Sequence, residues 1–425
     1  MSKIKKKVNI IYKRPKKFSK KILLLSPVPP CSNYSGGLVL EHLAHFLPKG
    51  SLVCFAVMNK DLHPVIPTEL NWIPVQYYLK PNEGWPNFRL MVGPTISFLG
   101  ETYIRTIVLR RIIRQIVAFA QKHKVNYLWS ILDGQTTINL AVPVAKKLNL
   151  PLVTEIWDPP EWYLKINNLD KISRAIVLKN FASALRLSRK LGAASRKMAK
   201  KYADDYGVDA IPFLPSIEEH LACQPTKSLH ASKELIIAVA GQLYSKNEWN
   251  SLIEALHLAN WQIGNRQVKV RLLGNWIAMN EVYKKVNIEY LGWCSQEETV
   301  KIMHDSDILY CPYMFDPEYK KVAQLSFPSK LATYLASGRP VFFHGPDYAS
   351  PGIFLKENNA GLLCHTLDSK KIIKLLTDLV TDQKLYASLS FNGHQAFQQY
   401  LIRQVLRKNF AKFLDLEEEE LRLKN

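Results

Sequence analysis

The sequence predicts an α/β protein with parallel sheets, on three observations. Short apolar runs alternate with amphipathic helical stretches along nearly the whole chain. The pattern falls into two halves of similar size, separated at 216–233 by a polar stretch without periodicity. Length and composition agree: 425 residues, 47% hydrophobic and 22% charged, is globular, and long enough for about two or three domains.

Taken in order, Lys21–Ser26 reads as a buried strand. Ser35 stands as an N-cap before Gly36-Gly37 and a helix to about Leu47, with Val39, Leu43, Phe46 and Leu47 at helical spacing. Ser51–Val57 is the next strand, and residues 59–100, with six Pro, read as long loops. Thr102–His123 is a long helix. Val108, Ile112, Ile116, Phe119 and Ala120 share one face, Arg110, Arg111 and Arg114 the other, and Arg105 breaks the stripe. The Arg face suits solvent or a membrane surface. Val125–Ile131 is a strand, Thr136–Leu148 a helix, and Leu152–Trp157 a strand ending at Asp158-Pro159-Pro160; helical patterns fill 165–204.

In the second half, strands are expected at Leu235–Ala240, Val268–Leu273, Ile288–Gly292, Ile308–Pro312, Val341–His344 and Leu362–Cys364. Helices are expected at Glu248–Ala259, Gln296–His304, Ser329–Ala336 and Ser369–Leu379. Residues 383–415 are mostly helical, and the acidic run Glu417–Glu420 is expected to fray. The resulting division is a basic arm at 1–20, a first domain at 21–216, a linker at 217–233, a second domain at 234–390 and a C-terminal helical segment with an acidic tail at 391–425.

The formal net charge is +21, unevenly spread. Residues 1–21 hold ten basic residues and no acidic one, which suits a solvated tail or a polyanionic partner such as anionic lipid. A secretory signal is excluded, because the apolar run Ile22–Leu25 is cut by Ser26 and Pro27. Six scattered Cys without a C-x-x-C pair argue against a disulfide framework or zinc module and for a reducing, cytoplasmic setting. No run of about 20 uncharged apolar residues is present to span a bilayer. No nucleic-acid recognition module is recognisable, so no nucleic-acid partner is expected.

Four loops fall at the carboxyl ends of expected strands, where open α/β sheets bind ligands. Gly36-Gly37 lets a backbone approach a phosphate or simply turns tightly. Gly241-Gln242-Leu243-Tyr244-Ser245-Lys246 places an ammonium five residues after a glycine turn, against a diphosphate or in solvent. Pro328-Ser329-Lys330 opens a helix that ends at Ser337-Gly338, exposing N–H groups at its positive end. Trp293, after Leu291-Gly292, either flanks a base or packs in the core. Glu41-His42-x-x-His45 lacks the zincin order, and Asp305 and Asp307, entering a strand, read as capping or solvated groups and not as catalytic ones. No Walker loop, nucleophile elbow or kinase set occurs.

The stretch Val286–Cys364 resembles the C-terminal domain of GT-B glycosyltransferases, particularly the retaining group called family 4. The resemblance lies in Ile288–Gly292, Asp307–Tyr313, the string Phe327–Val341 (F-P-S-K-L-A-T-Y-L-A-S-G-R-P-V) and Gly361–Leu363. Leu23–Gly37 and Ser195–Pro215 are similar, more loosely, to the first domain's opening and close. The resemblance implies two Rossmann-like domains facing across a cleft. It also implies transfer of a sugar from a nucleotide-diphosphate donor to a saccharide or lipid-linked acceptor in surface polysaccharide synthesis, with retention. No metal or other cofactor is expected; basic side chains and helix-end dipoles would neutralise the departing diphosphate.

Carried over by position, Lys246 is the main charge on that diphosphate, with Gly241 and Gln242 in its loop. Ser329 and Lys330 meet the diphosphate through backbone N–H, Gly36 and Gly37 face it, and Asp158 lies in the cleft loop of the first domain. Three departures from the family pattern fall at four positions. Gln242 stands where an Arg is usual. Leu325 and Thr333 stand where two glutamates eight apart contact sugar and ribose, with Asp316 or Glu318 as substitutes. Trp157 precedes Asp158 where a His is frequent. The missing glutamates motivate an alternative, a catalytically silent binding or scaffold protein.

Overall fold

The computed structural model describes residues 18–86, 92–242, 245–274 and 287–422. Most of the basic arm, Leu243, Tyr244 and Val286 lie outside the described residues. The first sheet comprises β1 (Ile22–Ser26), β2 (Leu52–Asn59), β3 (Val75–Lys80), β4 (Tyr127–Ile131), β5 (Leu152–Ile156), β6 (Lys190–Ala193) and β7 (Asp209–Pro212). All are parallel, in the order β3-β2-β1-β4-β5-β6-β7. The second comprises β8 (Glu234–Ala240), β9 (Gln262–Ile263), β10 (Arg266–Leu273), β11 (Ile288–Gly292), β12 (Ile308–Pro312), β13 (Val341–His344) and β14 (Gly361–Cys364). Its order is β11-β10-β8-β12-β13-β14, all parallel, with β9 antiparallel on β10.

Strand order reverses between β1 and β4 in one sheet and between β8 and β12 in the other. Such switch points open crevices beyond the strands' carboxyl ends. β1 is buried throughout. Ile22 and Leu24 join one core and Leu23 and Leu25 the opposite one, so helices cover both faces.

Three expectations are corrected. The stretch 59–100 is not all loop: β3 forms an edge strand between Pro74 and Pro81, and a helix starts at Val92. That helix accepts Pro94 in its first turn, where no backbone N–H is needed. It continues through a π-helical turn at Ile104–Val108 into Leu109–Lys122. Ser35 is the first helical residue and not the cap; Tyr34 caps in extended backbone, without a side-chain bond. The acidic tail does not fray. Glu417 and Glu420 form a capping box, Arg407 donates to the Glu418 and Leu421 carbonyls, and Leu421 is buried.

The chain crosses between domains twice, and the crossings touch: Ile217 N–H donates to Leu401 O at 3.0 Å, and Arg403 N–H to Ile217 O at 3.1 Å. The linker lies on the second domain, where Cys223 N–H bonds Ala336 O. One helix, Gln383–Tyr400, runs through residues 390–391. The next, Arg403–Phe413, returns to the first domain, where Phe410 and Phe413 are fully buried against Trp129 and Phe213.

Candidate functional site

The two carboxyl edges meet. Asp158, just beyond β5, accepts a hydrogen bond from Oγ of Ser326, the residue that ends the short helix Lys320–Leu325 in the connection between β12 and β13. Beside it Ser195 Oγ donates to Leu325 O, and Leu325 is buried in the first domain's apolar cluster with Leu164 and Met198. Ion pairs Lys321–Glu161 and Lys165–Glu318 continue the seam.

On the second domain, β8 is followed directly by Gly241, whose φ of +81° favours glycine. Alongside, β10 is followed by Gly274, with φ +105°, where a Cβ would stand 3.2 Å from Gly241 Cα. The sequence reading stopped at Leu273 and missed this second glycine. Together the pair brings two backbones into contact at the switch point.

Lys330 begins the helix Lys330–Ala336, and its Nζ donates to Gln242 O at 3.0 Å. Its ammonium therefore lies at the glycine turn. Burial pushes its pKa down. Half-buried Thr333 follows on the same helix face, three residues on. Ser329 is exposed in helical backbone and makes no side-chain cap bond. Lys246 opens the helix Lys246–Leu258 from the same turn and is exposed. Trp293 follows β11 and is 84% exposed, so it is not core. The structure thus gathers Gly241, Gln242 and Lys330, with Thr333 one turn along the Lys330 helix and Lys246, Ser329 and Trp293 on loops and helix ends at the same edge.

The first domain's edge is built differently. Gly36 lies under the Trp157 ring and Gly37 under Cys31 Sγ, so tight packing occupies the places a side chain would take. Trp157 Nε1 donates to Glu155 Oε1 at 2.8 Å, and Trp129 Nε1 to Oε2 at 3.1 Å. Burial pushes the Glu155 carboxyl up to about 7 despite these bonds. Asp133, beyond β4, is also pushed up to about 7, by burial first and then by the Asp158 and Glu83 charges. Asp158 is raised by burial, against the Ser326 bond.

Glu83 sits on the N-terminus of the helix Gln135–Leu148: Gln135 N–H donates to Oε2 at 2.8 Å and Thr136 N–H to Oε1 at 3.1 Å. An acidic side chain already fills that anion site. Asp133, Glu83 and Glu155 were not singled out in the sequence; the only signal for Asp133 was its place just past a strand, before Gly134.

Asp316 caps the turn Pro317–Tyr319 and Glu318 pairs with Lys165, so both proposed glutamate substitutes are engaged. A cavity of about 510 Å³ opens at this seam, lined among others by Trp162, Lys165, Asp170, Arg174, Glu318 and Tyr319. Asp307 is neither a helix cap nor solvated: buried at the far edge, it accepts from the Ile236 and His230 N–H groups and so supports the sheet. Among the described residues no three His, Cys, Asp or Glu side chains gather as metal ligands.

No family model and no curated protein matches the sequence. Solved structures do. Anabaena HepE in complex with UDP is 14% identical with a TM-score of 0.64, covering 93% of this chain and 99% of that one. Sucrose-phosphate synthase from Thermosynechococcus elongatus is 12% identical, TM-score 0.62, covering 93% and 98%. An α,α-trehalose 6-phosphate synthase from Burkholderia multivorans is 13% identical, TM-score 0.59, covering 93% and 96%. At such identities the likeness is one of fold, and the chain has the GT-B fold of two Rossmann-like domains.

Proposed function

We propose that the protein is a glycosyltransferase that binds a nucleotide-diphosphate sugar on its second domain and passes the sugar to a saccharide or lipid-linked acceptor. The observation that carries this reading is Lys330, whose half-buried ammonium reaches the Gly241–Gln242 turn at the switch point of the second sheet. A diphosphate there would exchange one carbonyl contact for a full charge and the adjacent N–H groups. Lys246 would add charge from the opposite side of the turn. Asp158 would face the acceptor from the first domain, and Gly36 and Gly37 would border the cleft. Trp293 would offer an exposed ring to the base and Thr333 a hydroxyl to the ribose. Transfer would proceed with retention and without metal. A cytoplasmic protein working at the inner membrane face in surface polysaccharide synthesis is the finer form of this reading.

HepE has been crystallised with UDP, with UDP and glucose and with UDP-glucose, which makes UDP-glucose the first donor to try. The test is a panel of nucleotide sugars, scored by thermal shift and then by donor hydrolysis and transfer. Stabilisation by one donor together with its turnover is expected. Indifference to every donor would remove the proposal.

One observation favours a silent relative. Leu325, at the place of the sugar-contacting glutamate, is buried in the first domain, so no carboxylate reaches the donor from there. A protein of that kind would be stabilised by the donor and turn none over.

A further inference from the structure

The helical run from Val92 to Lys122 is about 46 Å long at 1.5 Å per residue. Its second part is held on the sheet by Leu109, Ile112, Ile116 and Phe119, all buried. The first part packs beside the helix Lys171–Leu187: Ser97 Oγ donates to Asp170 Oδ2 at 3.2 Å, and Arg105 to Ser173 Oγ at 3.1 Å. Arg105 thereby turns inward and leaves the outer side apolar.

On that outer side, Leu99, Tyr103 and Ile107 recur in four-residue steps and are 62%, 57% and 51% exposed. Ile172, next to the Arg105-bound Ser173, is 58% exposed. Contiguous large apolar side chains at such exposure mark an interaction surface. The ridge runs into Arg110, Arg111 and Arg114, all exposed, and none is ion-paired among the described residues. An apolar stripe continued by unpaired arginines is complementary to one occupant above others, the headgroup and acyl boundary of an anionic bilayer.

We propose that Leu99, Tyr103, Ile107 and Ile172, with the three arginines, dock the first domain on an anionic lipid surface and hold the seam cavity at that surface. The cavity shares its wall with the ridge's supports: Gly93 and Pro94 open the long helix, and Asp170 precedes the neighbouring one. Trp162 and Tyr319, with ring centroids 6.3 Å apart, form its apolar side. An acceptor anchored in the membrane would present its polar head to that mouth. The purpose of the docking rests on the lipid-linked acceptor proposed above, but its test needs no donor and no turnover.

The experiment is co-flotation of the full-length protein with phosphatidylglycerol/phosphatidylcholine vesicles and with phosphatidylcholine alone. Binding to the anionic vesicles is expected, falling steeply between low and physiological salt. The triple variant Leu99→Ser/Tyr103→Ser/Ile107→Ser should bind roughly tenfold more weakly, with an unchanged far-ultraviolet circular dichroism spectrum. Arg110→Gln/Arg111→Gln/Arg114→Gln should weaken binding at low salt and flatten the salt dependence. Leu258→Ser and Phe391→Ser, comparably exposed on the second domain, should change nothing. Equal binding to neutral vesicles would overturn the assignment. So would loss of binding on deletion of residues 1–17 with the ridge variants unaffected, or a ridge variant that abolishes self-association and not vesicle binding.

Discussion

The two carboxyl edges have the same strand layout and opposite contents. The second domain's edge is open and cationic: Gly241 and Gly274 thin the backbone, Lys330 reaches over them, and Lys246 and Trp293 stand exposed. The first domain's edge is filled and acidic: Trp157 covers Gly36, Glu83 occupies a helix N-terminus, and Asp133 and Glu155 titrate near neutrality. A glycine at a strand end is thus no guide to a phosphate. What decides is whether the helix end beside it is vacant or already neutralised.

The sharpest way to break this contrast is to place a carboxylate on the second edge. Leu325→Glu restores the family's residue type but puts a charge into the first domain's apolar cluster. We expect a loss of about 3 kcal/mol or more in unfolding free energy and no gain in donor turnover. Urea titration and donor hydrolysis report the two. A variant as stable as the parent and faster in turnover would mean that the seam at Leu325 opens during the reaction.

Next is the cation itself. Lys330→Ala should lose about 2–4 kcal/mol of transition-state stabilisation in kcat/KM with the cognate donor, and Lys246→Ala less. The sequence alone suggested the reverse order, with Lys246 dominant and Lys330 acting through its backbone. The ammonium contact at Gln242 is the reason for the inversion. A larger loss in Lys246→Ala would restore the first order.

The pH dependence follows from the same group. Burial lowers the Lys330 pKa, and a bound diphosphate would raise it. Affinity for a free nucleoside diphosphate should therefore be full below the pKa of the unliganded protein and fall as pH rises through it, earlier than an ordinary lysine would dictate. Lys330→Arg should remove that alkaline limb, as calorimetric titration across pH can show.

The glycine pair sharpens the comparison on the side of stability. Gly274→Ala meets both a positive φ and the Gly241 backbone, and should cost about 1–2 kcal/mol. Gly84, with open space around it and no positive φ, is the control, and equal costs at both sites would refute the close crossing.

The smallest effect belongs to the acidic edge. The Asp133 carboxyl is raised from 3.8 to about 7, so the folded state holds its proton where the unfolded chain does not. Its contribution to stability is fully present below about pH 4 and is lost as pH rises through about 7. Asp133→Asn should be more stable than the parent at pH 8 by about 1 kcal/mol, allowing for partial exposure, and the gap should close toward pH 4. Parallel curves for the two proteins across that range would exclude Asp133 as the titrating group.

Much of the scaffold was legible because buried parallel strands are short apolar runs, and these stand out beside amphipathic helices. β3 was not: it is an edge strand, Val-Gln-Tyr-Tyr-Leu-Lys, half exposed and bracketed by prolines. The site divides in the same way. Gly241 and Lys330 were legible because glycine and lysine at strand and helix ends carry local meaning. Asp133 and Glu83 were not, because their environment comes from segments fifty residues apart in the chain. The F-P-S-K…S-G-R-P-V string carried two meanings in one stretch. Its first half supplies Lys330, while Arg339 in its second half is buried against His304 O and the Tyr386 hydroxyl, as structural support.

Phe410 and Phe413 complete the core under β4 and β7 from the far end of the chain. On a ribosome, the first domain's two hundred residues therefore emerge with Trp129 and Phe213 lacking their cover, and they wait for the second domain to be made before that cover arrives. At roughly 5–20 residues per second the gap lasts on the order of ten seconds or more. During that interval the nascent chain offers an aromatic surface that a holdase could recognise.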